Sequence, residues 1–142
     1  MILLDTDHIT LLKYPASERA TRLRQRLESV PPNESVAVPV IVVEEQMRGW
    51  LATIAKERSA RRQVAAYREL AGLFEFFAEF DIVVFDEPAV DQFESLRSSK
   101  LRLGTMDLKI ASTALANQAL LLSANRSDFE RVPGLRVDNW LD

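Results

Sequence analysis

Three large apolar residues, Ile2, Leu3 and Leu4, run without interruption into a carboxylate, Asp5. No other feature so narrows what this chain can fold into. A strand covered on both faces reads as a continuous apolar run rather than an alternation. Residues 1–4 are therefore expected to form a buried strand that ends on an acid. In open α/β sheets ligands bind beyond the carboxyl ends of the parallel strands, so Asp5 lies where a functional group belongs. A short acid or hydroxyl at that point also caps the following helix, and on these residues alone Asp5 or Thr6 serves equally well as a cap.

The rest of the chain alternates in the same way. A short helix is expected over 9–14, stopped by Pro15, and a second from Glu18 to about Val30 behind Ser17 as N-cap. Pro31 and Pro32 break it before a second strand at 35–38. Pro39 then opens a helix carrying Val42, Val43, Met47, Trp50, Leu51 and Ile54, with Glu44 and Glu45 near its start. Residues 57–80 read as one long helix or two in sequence. Their basic front half (with Lys56, Arg58, Arg61, Arg62 and Arg68) is either a solvated face or a docking surface, and their back half holds Phe74, Phe76, Phe77 and Phe80. A third strand at 81–85, a helix from Pro88 through Leu96, a polar connection at 98–103 and a helix from Met106 to about Asn117 follow, the last behind a cap at Gly104-Thr105. A fourth strand is expected at 119–122, a loop at 123–134 with one helical turn near 128–131, and a last strand at 135–137. Strands alternating with helices imply one α/β domain over 1–142, a central, mostly parallel twisted sheet with helices on both faces.

Composition excludes several chemistries. There is no cysteine, hence no disulfide, thiolate zinc site or cysteine nucleophile. That, with no signal-peptide pattern and no apolar run of membrane-spanning length, fits a cytoplasmic protein with no membrane partner. The net charge is −3, whereas a protein gripping nucleic acid by charge alone is basic. Any contact with a polyanion must then be local or assisted by a metal.

In a parallel sheet the acids fall together. Asp5 ends the first strand, Glu45 follows the second, Asp107 opens the helix before the fourth, and Asn125 and Asp128 follow the fourth. Clustered carboxylates raise each other's pKa values and call for a cation. Hard oxygen donors without histidine or cysteine suit Mg²⁺, or Mn²⁺ in its place. Such an ion activates water and holds phosphate oxygens, the basis of phosphodiester hydrolysis. Yet the chain holds 21 acidic residues, and Asp107 in a first helical turn is favourable there without any chemistry.

Neighbouring helical residues point ~100° apart, so only one of Glu44 and Glu45 faces the cleft. Gly49, one turn beyond Glu45, favours Glu45. His8, the only histidine, is a candidate general base or simply a polar residue at the start of the first helix. Thr6 either hydrogen-bonds a site carboxylate or caps the helix. Asp7 is an N-cap or a supporting acid, and Ser123 either orders the loop after the fourth strand or is a plain loop serine. Trp50 and the phenylalanine cluster are expected in the core or at a dimer interface rather than as base-stacking platforms.

Four motifs in register resemble the PIN domain, in particular the VapC-type ribonuclease toxins of prokaryotic toxin–antitoxin pairs. Leu3-Leu4-Asp5-Thr6-Asp7 resembles the family's opening, with Asp7 at the usual Asn. Glu45-Gln46-Met47-Arg48-Gly49 resembles its Glu-Leu-x-x-Gly helix, with Gln46 at the usual Leu. Gly104 to Ala111 resembles its Gly-x-x-Asp-x-x-Ile-Ala segment, and Asn125, Asp128-Phe129, Val132-Pro133-Gly134-Leu135 and Trp140 resemble its ending. The resemblance implies a PIN-like three-layer fold, a homodimer, an RNA substrate and an antitoxin that blocks the cleft. It implies an Mg²⁺-dependent endoribonuclease in which Asp5, Glu45 and Asp107 hold the metal. Asn125 occupies the fourth position, an amide where an acid is also found, and Asp128 is placed to compensate. Two other readings remain: a catalytically degenerate PIN fold kept as a binding module, and a receiver-like phosphate-sensing domain. The latter needs a late lysine, and none lies beyond Lys109.

Overall fold

The computed structural model describes all residues, Met1–Asp142. Five short strands, β1 (Ile2–Leu4), β2 (Val36–Pro39), β3 (Asp81–Val83), β4 (Leu120–Leu122) and β5 (Arg136–Asp138), form one sheet in the order β3-β2-β1-β4-β5. Every pairing is parallel, with Leu3 opposite Ala37 on one side and Leu121 on the other. β1 is therefore the central strand. Leu3, Leu4, Val38, Leu121 and Leu122 are fully buried, as continuous apolar runs require.

Seven helices connect the strands: α1 (Thr6–Lys13), α2 (Glu18–Glu28), α3 (Val40–Lys56), α4 (Ala60–Phe77), α5 (Glu87–Ser98), α6 (Thr105–Ala116) and α7 (Arg126–Phe129). The strand order steps one way from β1 to β3, then reverses to β4 and β5. Right-handed crossovers put the helices of the two runs on opposite faces. The reversal between β1 and β4 is a switch point, where a crevice opens at the carboxyl edge. α6 feeds β4, so its first turn stands at that edge; α3 leaves β2, so its first turns stand there too. α6 is buried almost all round, through Leu108, Ile110, Ala111, Ser112, Thr113 and Ala114, as a helix lying between other layers must be.

Several boundaries differ from the sequence reading, each for a local reason. α1 begins at Thr6 rather than residue 9 because the Asp5 carboxylate accepts from the Thr6 N–H and caps the helix. The basic segment splits cleanly: α3 ends at Lys56, and Ser59, accepting from the Arg62 N–H, starts α4. The Gln63 amide donates to the carbonyls of Ile54 and Glu57 and ties this junction. α6 is capped at Gly104 with no side-chain bond, so Thr105 is not its cap. Within α4, Leu73 and Phe77 are buried and Phe76 packs on the core, as does Phe80 just beyond the helix, but Phe74 is 66% exposed. One residue past Leu73 it has rotated ~100° out of the inward stripe. Leu51 is likewise exposed. The basic residues of 56–68 are exposed, as both of their readings require. The turn into β5 requires Gly134, whose φ of +80° suits a residue without a side chain.

Receiver folds of the flavodoxin-like kind have strand order 2-1-3-4-5, which this sheet does not share. Asp86, the acid after the third strand, caps α5 through the Ala89 N–H.

Candidate active site

The central strand delivers Asp5 into a closed network. Asp5 is only 7% exposed. One carboxylate oxygen accepts from the Thr6 N–H at 2.7 Å and the other from the Ser123 hydroxyl at 2.7 Å. Capping and a place in the site are thus the same geometry rather than alternatives. Ser123 is fully buried and also accepts from the Asn125 N–H at 3.0 Å. Its Oγ lies 3.4 Å from Asp7; the single hydroxyl proton goes to the nearer acid, Asp5.

Asp7 is not the helix cap. It bridges elements, accepting from the Ala124 N–H at 2.9 Å and pairing with His8 Nδ1. The His8 ring is completely buried, and its Nε2 accepts from the Trp140 N–H at 3.2 Å. That acceptor role puts the ring proton on Nδ1, aimed at Asp7. His8 therefore pins the C-terminal tail and Asp7 together and has no free nitrogen for proton transfer. The Trp140 ring lies under the Arg26 guanidinium, 4.1 Å from ring centroid to carbon.

Glu45 and Glu44 separate as their helical offset demands. Glu44 pairs with Arg48 at 2.6 Å on the outer surface. Glu45 is half-buried, and its Oε1 is buried without any hydrogen-bond partner. Gly49 has open space where a side chain would stand. Asp107 occupies the first turn of α6. The Asn125 amide, at the end of the loop after β4, donates to Asp128 of α7 at 3.0 Å and holds that carboxylate. The Thr6 hydroxyl, expected to bond a site carboxylate, is buried without a partner; the Thr6 backbone makes that bond instead.

The electrostatics show which acids meet. Burial, then the charges of Asp7 and Asp107, push Asp5 up to about 6 against the two hydrogen bonds that lower it. Burial, then the charges of Asp5, Asp107 and Glu44, push Glu45 up to about 7. Burial and the neighbouring Asp128 and Asp7 raise Asp107. Burial alone would raise Asp7 too, but the bonds from His8 and the Ala124 N–H outweigh it and hold Asp7 below the usual carboxylate range. Acids at the end of β1 and in α3, α6 and α7 thus share one field.

No three of these acids stand close enough to enclose an ion by themselves. Mg²⁺ does not require that: it commonly takes one or two carboxylates and keeps several waters. The donor set, all oxygen, and the unpartnered buried Glu45 oxygen fit such an ion.

The PIN domain model matches residues 2–135. The chain belongs to the PIN domain family. Ribonuclease VapC2 of Rickettsia felis is 27% identical over 142 residues, covering 97% of this chain and 96% of that one. The tRNA(fMet)-specific endonuclease VapC of Salmonella typhimurium is 28% identical over 85 residues, 57% of this chain and 64% of the relative. The crystal structure of VapBC2 from Rickettsia felis bound to a DNA fragment from their promoter superposes with a TM-score of 0.74 at 26% identity, covering 99% of both chains. The PIN architecture expected from the motifs is the one found. The sequence drew attention to Asp5, Glu45, Asp107, Asn125 and Asp128, but missed Asp7 and His8 as a bridge between the first helix, the fourth-strand loop and the tail. Their signal was the bare succession of acid and imidazole after Thr6.

Proposed function

We propose that this chain is a metal-dependent endoribonuclease of the VapC type, the toxin of a toxin–antitoxin pair. The observation that carries the proposal is the convergence of Asp5, Glu45 and Asp107 from three separate elements, with Asp5 and Glu45 raised to about 6 and about 7. Burial raises both acids first and the charges of neighbouring acids add to it; a cation offsets both effects, and the PIN relatives named for ribonuclease and endonuclease activity support the same reading. Asp5, Glu45 and Asp107 would hold Mg²⁺, or Mn²⁺ in its place, in part through the waters that such an ion keeps. Bound there, the ion supplies an activated water and offsets charge on the scissile phosphate.

The chain's own residues keep that site in order. Ser123 and the Thr6 N–H fix both oxygens of Asp5. Asp7 anchors the loop after β4 through the Ala124 N–H. Asn125, standing where an acid also occurs in the family, positions Asp128, whose charge reaches Asp107. In this reading Asp128 restores the negative charge that the amide lacks. An antitoxin is the expected protein partner, as the VapBC2 complex supports, and a homodimer the expected assembly. No helix is long and apolar enough to cross a membrane.

The direct test is cleavage of RNA by the purified protein. Products should form with Mg²⁺ and vanish with EDTA; initiator tRNA is the first substrate to try, given the Salmonella relative's name. Equal cleavage with EDTA would overturn the metal assignment, and no cleavage of any RNA the nuclease reading.

A second expected result concerns pH. Asp5 and Glu45 hold a proton more tightly folded than unfolded. Their contribution to stability is full below about pH 4, where both states are protonated, and is lost as the pH rises through about 6 and about 7. A bound cation removes that deficit but competes with the protons. Millimolar Mg²⁺ should raise Tm by about 3–10 °C near pH 8 and by much less near pH 5.5. Thermal melts at the two pH values check this; no shift at either would favour the degenerate binding module.

A further inference from the structure

A groove of about 320 Å³ opens beside Glu45, between α1 and α3, at the lower end of the ~300–1,000 Å³ usual for ligand sites. Its walls include Lys13 and Tyr14 from the end of α1, and Glu45, Gln46, Gly49 and Trp50 from α3. Glu45 is thus common to the groove and to the acid cluster. The Lys13 ammonium lies 5.9 Å from the Tyr14 ring centroid and 5.7 Å from that of Trp50. It also donates to the Gln46 side-chain oxygen at 3.2 Å. One cation is therefore held by two aromatic rings and an amide at the edge of an anionic site.

Tyr14 is 53% exposed. Gly49 contributes no side chain to the floor. Burial keeps the Lys13 ammonium below the usual lysine range, with Glu69 pulling the other way, so the charge is partly stripped of water. Flat rings with a fixed cation are the elements by which proteins hold unpaired nucleotides: bases stack on the rings and the phosphate meets the cation. The acid cluster alone repels RNA; this groove supplies the adjacent attraction.

We propose that this groove seats one unpaired nucleotide flanking the scissile phosphodiester, its base against the Tyr14 and Trp50 rings and its phosphate on Lys13. The proposal rests on the ribonuclease reading for its substrate. Gln46 steers the Lys13 ammonium toward the groove, so this chain's departure from the family's usual Leu has a purpose here. Trp50, expected from the sequence to be core or interface, is in this proposal a stacking platform.

The test uses the intact protein in EDTA, where binding is read without cleavage. The chain has two tryptophans, so Trp140→Phe leaves Trp50 as the only reporter. Titration with tetra-adenylate should quench its fluorescence saturably. In the same background Tyr14→Ala and Lys13→Gln should each weaken the titration roughly tenfold with unchanged thermal melts. Tyr14 is exposed, so its removal does not threaten folding. With Mg²⁺ present, Tyr14→Ala should raise KM for RNA cleavage and leave kcat nearly constant. Absence of quenching at millimolar tetra-adenylate, or affinities and KM within twofold of the parent in both variants, overturns the proposal and leaves the groove to a protein segment. Cleavage that survives with such unchanged KM sinks the subsite alone. A protein that quenches with oligonucleotide yet cleaves no RNA sinks the nuclease reading alone.

Discussion

Asp5→Asn is expected to abolish metal-dependent RNA cleavage while leaving the metal-free protein folded. The substituted amide fits the existing network. Its oxygen still accepts from the Thr6 N–H, and its nitrogen donates to the Ser123 hydroxyl, which turns its proton to Asp7, at 3.4 Å in the present arrangement. What disappears is a charge that burial and neighbouring acids already make costly, as its value of about 6 records. Tm of the metal-free variant near pH 8 should therefore equal or exceed that of the parent. The Mg²⁺-induced rise in Tm should shrink. Cleavage should fall on the order of a thousandfold, because loss of several kcal/mol of charge stabilisation at 1.36 kcal/mol per decade has that size. Asp107→Asn should behave alike, since it removes a second member of the same field. Cleavage rates and melts, each with Mg²⁺ and with EDTA, check both variants. Metal-dependent cleavage at the parental rate in either one would mean that the ion sits elsewhere.

The largest loss of stability is expected from Phe129→Ala. Phe129 is fully buried in the four-residue helix α7, and its N–H donates to the Asn125 carbonyl. Deleting a buried phenylalanine costs about 3–5 kcal/mol. For a chain of this length that lowers Tm on the order of 10 °C. The effect should reach the site as well, because the same turn carries Asn125 and Asp128. A thermal melt reads the first consequence and the cleavage rate of the still-folded variant, well below its Tm, the second. A Tm within about 2 °C of the parent would show that the loop does not depend on this anchor.

The two predictions probe different links between sequence and site. Asp5 was legible because a continuous apolar run that stops at an acid has few other meanings in an α/β chain. Asp107 and Glu45 were legible through their position relative to predicted strands and through motif resemblance. Helical offset allowed only one of Glu44 and Glu45 to face the cleft, Gly49 and the motif spacing favoured Glu45, and the Glu44–Arg48 pair accounts for the other acid. The groove beside Glu45 was not legible. Lys13 and Tyr14 lie more than thirty residues from Gln46 and Trp50, and no periodicity within either helix predicts that the two meet. The core reading of Phe74 failed for the opposite reason: phenylalanines at 74, 76, 77 and 80 suggest a cluster, yet a helix has room on its inward stripe for only some of them.

By itself the sequence determined the alternation of strands and helices, the parallel sheet and the buried first strand that ends in Asp5. Those follow from apolar runs, prolines and caps, which act over a few residues. Only the tertiary structure decided what surrounds Asp5: that it caps α1, that Ser123 just past β4 grips its other oxygen, and that Asp7 and His8 tie the loop and the tail together. Hydrogen bonds between residues more than a hundred positions apart depend on register and crossover direction across the whole sheet. No local pattern encodes them, and they are the contacts that turn a row of separate acids into one shared electrostatic field.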